Sequence, residues 1–111
     1  MNGFDARDAH RYIFSRIDQK AFGAIRTEIS AILDAFLQSD LRFMRVTGVL
    51  DGNDDRGDQE YDEDEAFEFI LDAYVSDTRC DDGIAMVVAT LLDRYMELQY
   101  EYLKSHGFAE D

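Results

Sequence analysis

A chain of 111 residues is long enough for one hydrophobic core, burying roughly two-thirds of the surface that the unfolded chain exposes, and a composition that is 46% hydrophobic with eight Phe and six Tyr excludes a disordered chain. The net charge of −14 sits in one half: residues 1 to 50 carry six acids against seven bases, and residues 51 to 111 carry nineteen acids against four bases. Such a field excludes nucleic acid and anionic membrane as ligands of the second half and favours encounter with basic surfaces.

The N-terminal MNGFDARDAHRY has no basic stretch followed by an apolar run, and eighteen apolar residues never occur together. The expectation is a cytoplasmic protein, neither secreted nor membrane-spanning. Cys80 is the single cysteine and can make no internal disulfide, which agrees with a reducing compartment. The absence of proline favours long helices.

In chain order, the segment after Asp5 places Ala9, Tyr12, Ile13 and Ile17 at helical steps, and Asp18 is placed to cap a second helix. That helix is predicted from Gln19 to about Gln38, with Phe22, Ile25, Ile29, Ile32, Leu33, Phe36 and Leu37 on one stripe. In DLRFMRVTGVL, residues 40 to 50, Leu41 and Met44 continue the helical pattern while VTGV resists it, so a further short helix with an extended exit is expected. Asp62 then caps a third long helix, with Glu65 at the capping-box position and Phe67, Ile70, Leu71 and Tyr74 on its apolar side. After a loop, SDTRCDDG, the last helix is predicted from Ile84 to about Ser105, with Gly107 at its C-cap. Its apolar face is broad enough to be buried within one chain or across a homodimer contact. The expected fold is all-α: a single-domain bundle of four to five helices over residues 1–111, with an acidic loop near residues 51–61.

That loop opens the stretch LDGNDDRGDQEYDEDEAFEF, which holds ten acids and one base. It resembles an EF-hand loop over about twelve residues, with Asp51, Asn53 and Asp55 at the first three ligand positions. The later anchors slip by one residue, since Arg56 stands where glycine is required and Glu63 follows the position of the bidentate Glu. A calcium-responsive module built on Asp51, Asn53, Asp55 and Glu63 is thus one expectation for residues 51–63. No cofactor is expected.

The second constellation is a pair of acidic ladders. Asp64, Glu68 and Asp72 are four apart on one helix, and Asp93, Glu97 and Glu101 are four apart on another. Like charges at this spacing cost an isolated helix a few tenths of a kcal/mol per pair, so two ladders in a small domain point to a benefit outside the fold. Carboxylates rising by about 6 Å per step form a lower-density analogue of a phosphate backbone. Tyr61, Phe69, Tyr100 and Phe108 fall off the apolar stripes or near helix ends, and an aromatic in an acidic field suits an interface anchor.

Catalytic patterns are thin. His10 lies near a helix start, His106 suits a C-terminal capping role, and Cys80 is followed by Asp81 and Asp82, whose charges oppose a reactive thiolate. There is no Glu-x-x-His pair, Gly-rich phosphate loop, GxSxG or HExxH. In size, acidity and helical character the chain resembles the small proteins that phages and mobile elements direct against restriction or CRISPR nucleases, several of which imitate nucleic acid. The likeness covers no motif and transfers no residues. The expectation is a non-catalytic acidic protein that presents Asp64, Glu68, Asp72, Asp93, Glu97 and Glu101, with Tyr61 and Phe69 as anchors, to a basic protein surface such as the groove of a nucleic-acid-binding protein.

Overall fold

In the computed structural model, which describes residues 3–110, the first helix is Ala6–Phe14 (α1), started by Asp5, whose carboxylate accepts from the backbone N–H of Arg7 and Asp8. Ile17 is buried but lies beyond the helix end.

The long helix expected from Gln19 is replaced by two elements. Gln19–Glu28 forms a 3-10 segment, capped by Asp18 as the sequence indicates, and it is broken at Phe22 (φ −120°, ψ 42°) and Ile25 (φ −126°, ψ 21°). These departures from helical geometry turn both side chains into the core, where they are buried. The α-helix begins at Ile29 and runs without interruption to Thr47 (α2). The expected short helix over residues 40–50 is therefore absorbed into α2, which continues through it and is stopped by Gly48 in the left-handed conformation (φ 87°). Thr47, the last residue of α2, donates its hydroxyl back to the Phe43 carbonyl at 2.8 Å.

Asp62 caps the next helix, Glu63–Thr78 (α3), by accepting from the Glu65 N–H at 3.1 Å, and three acids occupy its first turn, where the helix dipole favours them. The loop predicted over SDTRCDDG shrinks to Arg79–Asp81. Arg79 takes left-handed geometry (φ 51°), and Asp81 accepts from the Ile84 N–H at 2.8 Å, so the last helix starts earlier than the apolar pattern, at Asp82, and runs to Ser105 (α4). Gly107 (φ 82°) then turns the chain so that the Phe108 N–H reaches the Leu103 carbonyl at 2.7 Å.

The four helices form a ring in which each packs mainly on its two neighbours: α1 on α2, α2 on α3, α3 on α4 and α4 on α1. The 3-10 segment packs on both α2 and α4. The fold is therefore the all-α bundle expected, with four α-helices, and the radius of gyration of 13.6 Å is close to the ~13 Å of a globule this size. Phe36 and Tyr95 lie at its centre with their ring centroids 5.5 Å apart, and the α4 stripe Val88, Leu91, Leu92, Tyr95, Leu98, Tyr102 and Leu103 is buried within the one chain. Among the described residues, no helix is long and apolar enough to cross a membrane.

Candidate interaction groove and the acidic loop

Ring order decides which acids meet. Because α3 and α4 are neighbours, their two ladders open onto a shared groove of about 660 Å³. Glu63, Asp64 and Glu68 line it from α3 and Asp93 and Glu97 from α4, over a floor made by Phe67 and Met96. Two of the six ladder acids lie elsewhere. Asp72 is exposed beyond the end of the groove, and Glu101 faces α1, where it accepts from the Tyr12 hydroxyl at 3.4 Å.

The groove's electrostatics are those of crowded like charges. Burial, followed by the neighbouring Asp64 carboxylate, raises the Glu63 pKa above the usual glutamate range, and Asp62 and Glu97 push the same way. Two cations oppose this locally: Lys104, which acts on Glu63, and Arg94, which donates to Glu97 at 3.3 Å. Five carboxylates against two cations leave a surplus of negative charge above an apolar strip.

The predicted anchors fare differently. Phe69 is half-exposed on the α2 side of α3, its ring 5.5 Å from that of Phe43 and 5.7 Å from the Arg42 guanidinium carbon, so it flanks the groove without lining it. Tyr61 is not a surface anchor. It is buried, with its hydroxyl on the Asp40 carboxylate at 2.8 and 2.9 Å, because a carboxylate inside the bundle needs donors more than the surface needs an aromatic. Phe108 is likewise buried, edge-on to Phe4 with centroids 5.9 Å apart, and Tyr100 is partly buried under the Lys104 ammonium.

The acidic loop is ordered by its own backbone. Leu50 pairs antiparallel with Arg56, the Gly57 N–H donates to the Val49 carbonyl at 2.8 Å, and the Asp51 N–H donates to the Asp55 carbonyl at 2.9 Å. Of the carboxylates offered to calcium, one is engaged by the loop backbone and another lies outside the loop. Asp51 accepts from the N–H groups of Asn53 and Asp55 at 2.8 and 3.1 Å, and Glu63 stands apart in the α3 groove. Asp54, which the ligand pattern skips, is clamped by Arg45 through two 2.7 Å bonds that hold its pKa below the usual range. The proposed set Asp51, Asn53, Asp55 and Glu63 is thus not assembled, and no group of three or more His, Cys, Asp or Glu able to hold a metal occurs among the described residues. Thermal melts are expected to give the same midpoint in calcium, magnesium and sodium salts at equal ionic strength. A calcium site filled to a hundred times its Kd would instead add about 2.7 kcal/mol and raise the midpoint above both other salts.

Sequence patterning missed Asp40 and Gln99, the two buried residues with charged or amide side chains among the described residues. Asp40 accepts from the Tyr61 and Tyr95 hydroxyls and from Gln99 Nε2. One signal was available: Asp40 is three residues from Leu37 and four from Met44 on the α2 core stripe, and Tyr95 and Gln99 share one stripe of α4. The histidines hold structural positions. His10 Nε2 lies 2.9 Å from the Ser30 carbonyl, and His106 is the residue capping α4, stacked on Tyr102 at 4.0 Å. No family model matches the chain, and neither a curated protein nor a solved structure matches it.

Proposed function

We propose that the protein works by association rather than catalysis, presenting the α3–α4 groove to a basic protein surface of the kind that ordinarily holds nucleic acid. The observation that carries this reading is the convergence of Asp64, Glu68, Asp93 and Glu97, from two helices, on one groove floored by Phe67 and Met96. A solubilising surface has no need to gather its acids around an apolar strip. A protein-binding surface does: charge steers the encounter and the desolvated apolar centre slows dissociation. Lysine or arginine side chains suit such a floor, since their aliphatic stems lie on apolar surface while the charged heads reach the rim carboxylates. The surplus of acids also disfavours nucleic acid itself as the ligand.

The test compares two double variants of equal charge change, titrated against a panel of nucleic-acid-binding proteins with duplex DNA as competitor. Glu68→Lys with Glu97→Lys, inside the groove, is expected to weaken binding at least tenfold. Asp72→Lys with Glu101→Lys, outside it, should weaken binding only through the general field, and that part should vanish as the Debye length shrinks to ~3 Å in 1 M salt. Equal losses in both pairs at low salt, or binding by every variant alike, would remove the groove from the account.

A further inference from the structure

The Asp40 cluster ties three parts of the chain together. Asp40 comes from the middle of α2, Tyr61 from the segment leading into α3, and Tyr95 and Gln99 from successive turns of α4. Asp40 Oδ2 accepts from the Tyr95 hydroxyl at 2.6 Å and from Gln99 Nε2 at 3.1 Å, and the single Tyr61 O–H is shared between Oδ2 at 2.8 Å and Oδ1 at 2.9 Å. Among the described residues the groups acting on Asp40 are the two phenols and the amide, and Glu63 is the other carboxylate whose charge acts on Tyr61.

Both phenols and the Gln99 amide nitrogen donate to Asp40, and one acceptor of the cluster is left over. Gln99 is fully buried, and its Oε1 has no hydrogen-bond partner among the described residues. A buried amide oxygen without a donor has given up its bonds to water and received none in exchange. A carboxylate supplies only acceptors, but a carboxylic acid adds the missing O–H.

We propose that Asp40 and Gln99 form a proton-operated clasp, in which a proton bound at Asp40 is shared with Gln99 Oε1 while Gln99 Nε2 donates back to the carboxyl group, as in a carboxylic acid–amide pair. The proton comes from water and returns to it. With the clasp closed, every polar atom of the cluster is paired and the charge is gone from the core. With it open, the carboxylate is held by the phenols and the amide oxygen of Gln99 is left without a donor. Because Tyr61 lies two residues before Glu63, the clasp fixes the first turn of α3 and the end of the acidic groove that this turn supplies.

Burial is the largest influence on Asp40 and raises its pKa to about 6, against the three donors, which lower it. A carboxyl whose folded pKa lies above its unfolded value gives the fold stability that is fully present below about pH 4 and is lost as pH rises through about 6. Asp40→Asn keeps an acceptor for the phenols and carries a permanent N–H donor for Gln99, so it mimics the closed clasp at every pH. The melting midpoint of the variant minus that of the wild type should therefore grow between pH 4 and pH 7 and then level off. A variant that melts below the wild type at pH 7.5, or a gap that ignores pH, overturns the proposal.

The wild-type protein gives a readout that needs no substitution. Carbon-13 spectra of the carboxyl groups should show one aspartate titrating near pH 6, absent in Asp40→Asn; titration of Asp40 below pH 5 overturns the clasp.

Discussion

Phe36→Ala is expected to destabilise the fold by about 4 kcal/mol, near the upper part of the range for removing a buried aromatic ring, and to lower the melting midpoint by roughly 15–20 °C for a domain of this size. The reason is position as much as area. Phe36 is fully buried at the middle of α2, and its ring packs edge-on against Tyr74 of α3 (6.0 Å) and Tyr95 of α4 (5.5 Å), so one side chain joins three of the four helices. The cavity left by alanine resists collapse because Tyr95 is held from its other end by the 2.6 Å bond to Asp40. Phe69→Ala is the control: it removes the same ring from a site 37% exposed, beside Phe43, and should cost about 1 kcal/mol or less. Chemical denaturation with both variants checks the contrast, and similar losses at the two sites would mean that the bundle is not organised around the Phe36 contacts.

How much of this was legible follows from what each residue type signals. The apolar stripe of α4 is regular enough that Val88, Leu91, Tyr95, Leu98 and Tyr102 were readable from periodicity, as were Asp18 and Asp62 as caps, whereas of the α3 stripe only Ile70 is fully in the core, beside an unread Ala66, and Ile84 is exposed. The 3-10 segment was not, because Phe22 and Ile25 keep helical spacing while leaving helical geometry, and spacing cannot report a backbone angle. The α3–α4 turn was overestimated because Asp77, Arg79, Asp81 and Asp82 are compositionally a loop, although Asp81 acts as a cap and Arg79 as a left-handed stop. In the groove, each ladder was readable on its own helix, but their meeting depends on which helices are neighbours, a tertiary fact. Tyr61 was misread and Asp40 passed over for one shared reason: an off-stripe Tyr suits an interface and an Asp gives no core signal by itself, and only the pair, separated by 21 residues, explains both as core.

Gly57→Ala is expected to cost about 3 kcal/mol, at the upper end of the usual overpacking penalty, and to lower the melting midpoint by roughly 12 °C. A Cβ at Gly57 would stand 2.1 Å from the Gly48 carbonyl oxygen and 3.0 Å from its carbon, with the Leu50 carbonyl carbon at 3.2 Å. All three are backbone atoms, so no side chain can swing away. The approach is close because the loop returns across the end of α2: the Gly57 N–H bonds to the Val49 carbonyl and the Gln59 N–H to the Gly48 carbonyl. Relieving the clash means breaking one of these bonds and lifting the segment that carries Arg56, which contacts the Gly107 carbonyl, and Tyr61, which reaches Asp40. Gly52→Ala is the matched control in the same loop. Nothing lies within 4 Å of its added methyl and its φ is not in the left-handed region, so stability should stay within about 0.5 kcal/mol of the wild type. If both substitutions melt alike, the acidic loop is not seated on the C-terminal end of α2, and the ten acids between Leu50 and Phe69 lose the framework that separates loop from groove.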